Sequence, residues 1–225
     1  MNNILLESKV KSLTKSLEVF NDNLVVADSF VPPYIGKDEI KLVVIGQDPT
    51  VRNPESRKNV ACTLNLNKQN SALYRYIKGL CDGLGITMEN VYATNLFKYF
   101  YSIPPANTPE VLKSHLQPSL ELLKEELSSL CLSTGCLVIT LGEPVLKLLL
   151  NQNVPNNEKK VRFYWGYDSK TKESDRNFRF VDESKNVLSH KFYPFCHQPS
   201  MRKQFYKDWI KEYFGFIKAN NFITK

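Results

Sequence analysis

Long apolar runs are missing from this 225-residue chain: no stretch approaches the ~20 consecutive apolar residues that a bilayer-spanning helix needs. The opening MNNILLESKVKSL interleaves charge with apolar residues, an amphipathic pattern and not the uninterrupted core of a signal peptide. No membrane segment is expected, and cytoplasmic residence is the default. Paired cysteines are missing too. The five present (Cys62, Cys81, Cys131, Cys136, Cys196) are odd in number and never spaced C-x-x-C, which argues against a secreted disulfide framework and a zinc ribbon and leaves mostly buried thiols. No metal site follows from such spacing. The chain also lacks G-x-G-x-x-G and G-x-x-x-x-G-K-[ST] sequences, internal repeats and low-complexity breaks.

What is present suffices for a packed core: 42% of residues are hydrophobic and 12% aromatic. The net charge of +7 suits a polyanionic partner such as nucleic acid, although Lys and Arg are spread along the chain and only the fold could gather them. Apolar positions at Leu5, Val10, Leu13, Leu17 and Phe20 predict an N-terminal helix, and VPPY at 31–34 a rigid turn. KLVVIG, VYAT and CLVITLG read as strands, apolar on both faces as in a buried parallel sheet. Helices are predicted over about 71–83, from Pro109 to about Ser129 behind the N-cap Thr108 and with Pro118 inside, over EPVLKLLLN, and over about 202–218. VRFYWGY and NFRFV read as strand-like pieces. Strands alternating with helices give an α/β class.

In open α/β sheets, ligands bind beyond the carboxyl ends of the strands. Four such ends carry suggestive residues: Gly46-Gln47-Asp48-Pro49, Asn95, Gly142-Glu143-Pro144 and His197-Gln198-Pro199-Ser200. Each also has a structural reading, with Asp48 capping a turn, Asn95 tying a loop and His197 an ordinary loop histidine. Their convergence on one sheet edge is the informative feature.

GQDP after a VVIG strand, Asn95 after VYAT and the HQPS element near the C terminus resemble the uracil-DNA glycosylase superfamily in order and setting, over about residues 40–215. The resemblance implies a three-layer sandwich with a central, mostly parallel four-stranded sheet flanked by helices. It implies a single domain over 1–225, with its core at about 40–215 and a helical extension at 1–35. The section TNLFKYFYSIPPANTP through LVITLGEPVLKLLL is similar to the iron–sulfur branch, but the cysteines do not match that branch's cluster ligands, so no cofactor is expected.

The implied activity is that of a monofunctional DNA glycosylase, a monomer that flips uracil or a related base out of DNA and hydrolyses its bond to deoxyribose. Asp48 would orient water and stabilise the cationic sugar, and His197 would hydrogen-bond the departing base at O2. Asn95 would read the base edge, with Gln47 supplying backbone donors and Thr50, Thr63 and Leu64 shaping the pocket. DNA contacts would come from Ser102, Pro104, Pro105, Gly142, Glu143, Pro199 and Ser200, with Met201 as a wedge and Arg202 on a phosphate. Three departures stand out: Thr50 where the uracil-specific branch has a Tyr, ACTLN in place of an element with a stacking Phe, and HQPS in place of HPS. Two other readings remain open: a superfamily member that binds DNA or protein without catalysis, and a doubly wound enzyme acting on a small phosphorylated substrate.

Overall fold

The computed structural model describes residues 3–20, 24–103, 105, 109–130, 132, 135–167 and 177–221. Three apolar runs form its centre: β2 (Leu42–Gly46), β3 (Val91–Asn95) and β4 (Leu137–Leu141), every residue of each buried. A strand buried on both faces needs helices above and below it. Helices α1 (Asn3–Phe20) and α4 (Pro109–Ser128) pack together, as do α3 (Ala72–Leu84) and α7 (Gln204–Asn221), while the one-turn α2 (Pro54–Arg57) lies in the loop after β2. The Tyr92 and Thr94 hydroxyls bond Glu126 of α4, so the alternate residues of β3, Asn95 included, face the α3 side. The sheet therefore lies between two helical layers.

The strand order is β1-β3-β2-β4-β5, with β5 at Tyr193–Phe195. Strands β3, β2, β4 and β5 are parallel. The fifth strand, β1 (Tyr34–Ile35), pairs antiparallel with β3 and falls in the VPPY region that the sequence reads only as a turn. The expected four-stranded sheet thus gains an antiparallel edge. Because β2 connects to β3 on one side and the chain then returns to β4 on the other, the order reverses around β2, where a crevice opens at the carboxyl ends.

VRFYWGY is not a strand. Val161–Tyr164 form a one-turn helix, α6, following α5 (Glu143–Leu149), and only Val181 of NFRFV makes a bridge, to Phe192. Val161, Tyr164 and Trp165 are all buried, a spacing of three to four that suits a helix, and Trp165 donates from Nε1 to the Pro194 carbonyl of β5 at 2.9 Å. The N-terminal helix buries Leu6, Val10 and Leu17, whereas Leu5 is exposed, so its apolar stripe starts one residue later than expected. The final helix is preceded by a separate 3-10 turn over Gln198–Arg202. The N-cap expected at Thr108 lies outside the described residues. One hydrophobic cluster runs from Leu6 to Ile217, and no described helix is long and apolar enough to cross a membrane.

Candidate active site

The parallel register sets Gly46 directly beside Asn95 at the carboxyl ends of β2 and β3. Asn95 is 1% exposed, and its Oδ1 is buried with no hydrogen-bond partner among the described residues. A Cβ on residue 46 would lie 2.3 Å from that oxygen, so only glycine admits the amide here; the same Cβ would lie 3.7 Å from Leu64 Cδ2. Leu64 is held over this point in the left-handed region (φ 58°, ψ 11°). Thr63 is turned away, its hydroxyl donating to the Pro32 carbonyl at 3.1 Å. Of the two pocket residues expected from ACTLN, only Leu64 adjoins Gly46.

Beneath Asn95 lies a buried ion pair. Lys98 Nζ sits 2.6 Å from Glu126 Oε2, with both side chains 2% exposed, and also donates to the Asn95 carbonyl at 2.6 Å and to Thr94 Oγ1 at 2.9 Å. Glu126 accepts from Tyr92 and Thr94 as well. Burial draws the Lys98 pKa below its ordinary value while Glu126 pulls the other way. The charge is matched and fully hydrogen-bonded, which is what an interior ion pair requires. It fixes the backbone that carries Asn95.

The chain beyond β2 is laddered to the chain beyond β3, with Leu96 and Phe97 donating to the carbonyls of Gly46 and Gln47 at 2.9 and 2.8 Å. This brings Asp48 near enough to the buried Tyr99 and Tyr101 for its charge to oppose their ionisation. The Asp48 side chain is 2% exposed, and its Oδ2 is 3.0 Å from Arg52 Nη2. Burial pushes the Asp48 carboxyl above its usual range, and Arg52 counteracts that rise. Thr50, beyond the buried Pro49, is exposed, and Gln47 is half-buried.

On the other side of the crevice, Gly142 bonds from its N to the Phe195 carbonyl at 2.7 Å and takes φ 95°, a left-handed value open to glycine. A Cβ there would lie 3.5 Å from His197 Cβ. Gly142, Glu143, His197 and Ser200 line a cavity of ≈ 270 Å³ together with Lys203 and Tyr206. His197 is exposed, yet desolvation by neighbouring protein lowers its pKa, favouring the neutral imidazole. Tyr76 of α3 donates to the Cys196 carbonyl at 2.6 Å, clamping the peptide just before His197.

The residues expected at DNA divide. Ser102, Pro199 and Arg202 are exposed and Ser200 half-buried, whereas Pro105 is buried and offers no open ring; Pro104 lies outside the described residues. Met201 is half-buried and lines a ≈ 560 Å³ groove between α3 and α7 with Ile210 and Phe214. Among the described residues no cluster of His, Cys, Asp and Glu could hold a metal.

The uracil DNA glycosylase superfamily model matches residues 32–218, from just before β1 into the last turns of α7. The chain belongs to the uracil DNA glycosylase superfamily. No curated protein matches its sequence significantly. Superfamily membership supports glycosylase-type chemistry on DNA, and the superfamily's α/β fold is the one described above. Sequence reasoning gave no role to Arg52, Lys98, Glu126 or Tyr76. Of these, Arg52, four residues after Asp48, and Lys98, the lone charge between Glu89 and Glu110, carried a local signal.

Proposed function

We propose that this protein is a monofunctional DNA glycosylase, one domain over 1–225, that removes uracil or a related base from DNA. The observation that carries the reading is the buried, unpartnered Asn95 Oδ1 beside Gly46. An orphaned acceptor costs about 1–3 kcal/mol, and a ligand donor would recover it. Uracil brings an N3–H donor; cytosine presents an acceptor at the same place, so Asn95 would favour the first and reject the second.

Asp48 lies on the adjoining turn, where its carboxylate would stabilise the cationic sugar and orient water in a site that largely excludes solvent. Neutral His197, across the crevice, would donate to uracil O2 as negative charge gathers on the leaving base. Leu64 would cover the base with an apolar surface, and the exposed Ser102, Pro199 and Arg202 would meet the backbone. Exposed Thr50 leaves room beside C5, so 5-substituted uracils belong among the candidate substrates.

One observation favours binding without catalysis: Arg52 already occupies the Asp48 carboxylate. The deciding experiment uses duplex and single-stranded oligonucleotides carrying one uracil, 5-hydroxymethyluracil, hypoxanthine or mismatched thymine, scored for abasic sites. Excision of uracil is expected, with Asp48→Asn lowering it by orders of magnitude without loss of DNA affinity. Binding without excision of any base identifies the second reading.

A further inference from the structure

The Asp48–Arg52 pair sets two requirements against each other. A carboxyl buried to 2% exposure needs a cation to stay ionised, and Arg52 supplies it at 3.0 Å. A glycosyl cation, however, is stabilised by an uncompensated carboxylate, and a guanidinium on that carboxylate cancels much of its field. A counter-ion able to exchange its anion meets both needs.

Arg52 has the means to do so. Its side chain is 25% exposed, and its remaining contacts, to the carbonyls of Pro49 at 3.3 Å and Tyr101 at 3.5 Å, are long. The loop does not depend on it. Arg57 holds the same segment by donating to the carbonyls of Val51 at 3.2 Å and Tyr101 at 3.1 Å, with its guanidinium 5.6 Å from the Phe100 ring centre. Arg57 also repels Arg52, being close enough for each charge to be felt by the other. Guanidinium matches phosphate with the same two-pronged geometry it offers a carboxylate.

We propose that Arg52 is a transferable counter-ion: it neutralises Asp48 in the free protein and passes to a backbone phosphate when DNA binds, leaving the carboxylate bare beneath the sugar. This rests on the glycosylase reading of Asp48. It makes binding at the phosphates the event that arms the site.

The groups whose charge couples to Asp48 are Arg52 on its own loop and Tyr99 and Tyr101 after β3. Burial pushes Tyr99 up to about 12 and Tyr101 further, and His115 behind Tyr101 down to about 4. None of these three titrates between pH 5 and 8. Arg52 lowers the Asp48 pKa, so its departure raises it. In the wild-type protein the acid limb of single-turnover excision should therefore lie at higher pH with saturating enzyme than with sub-saturating enzyme. In Arg52→Gln the sub-saturating limb should rise to meet the saturating one.

Binding of Arg52→Gln to a duplex carrying an uncleavable abasic analogue should have a log–log salt slope about 0.9 shallower than wild type, while Arg52→Lys should keep the wild-type slope. Coincident limbs in the wild type, or an unchanged slope in Arg52→Gln, would overturn the proposal. The wild-type comparison holds even if the Gln variant fails to fold. If Asp48→Asn excises as fast as wild type, the glycosylase role of Asp48 fails instead, and the salt slope alone still decides whether Arg52 reaches a phosphate.

Discussion

Gly46 and Asn95 form one structural unit because parallel pairing sets them side by side and the glycine leaves the amide its space. In Gly46→Ala the new methyl meets Asn95 Oδ1 at 2.3 Å, so the amide must swing out of place. Uracil excision is expected to fall about 10²-fold or more, approaching the loss in Asn95→Ala, with about 1–3 kcal/mol of strain in a urea melt. An alanine variant as active as wild type would detach Asn95 from base recognition. Asp48, Asn95 and His197 could be singled out in the sequence because each follows abruptly on a buried apolar run. Arg52 could not be given its role, since an acid and a base four apart in a loop meet only if the loop folds to bring them together. The choice between Thr63 and Leu64 was equally hidden, for it turns on one left-handed residue that no composition rule places.

At the scale of elements, the segment just after β3 is joined to α4 by an ion pair that the sequence conceals. Lys98 and Glu126 are 28 residues apart by numbering, and Glu126 lies on a helix beside the exposed Lys124 and Glu125, so nothing local singles it out as the partner of Lys98. Lys98→Met leaves Glu126 buried without its cation and should cost about 3–5 kcal/mol in urea denaturation. Adding Glu126→Gln, which keeps acceptors for Tyr92 and Thr94, should recover most of that. Lys78→Met, at the exposed pair with Asp82, should stay within about 0.5 kcal/mol of wild type. Strands β2, β3 and β4 were legible because burial on both faces leaves an unbroken apolar run. VRFYWGY was not, because its β-forming aromatics mask a three-to-four spacing that only the wall of aromatics around Trp165 and Tyr213 makes decisive. β1 was hidden by its brevity, two residues whose pairing depends on an edge supplied by β3.

For the whole molecule, the α/β class and the position of the site at one sheet edge followed from element order, since a parallel sheet whose order reverses around β2 has its crevice there whatever the loops contain. The core is continuous, yet at that edge the fold keeps a buried amide oxygen that no described residue bonds. A donor that reaches this oxygen adds a hydrogen bond to the folded state alone, so a small molecule with the right donor should act as a folding ligand. Free uracil is expected to raise the melting temperature by about 3–6 °C at ten times its dissociation constant, with cytosine leaving it unmoved. Asn95→Ala, relieved of the orphaned oxygen, should lose that response. A thermal-shift screen of free bases would then rank the candidate bases without any DNA in the tube.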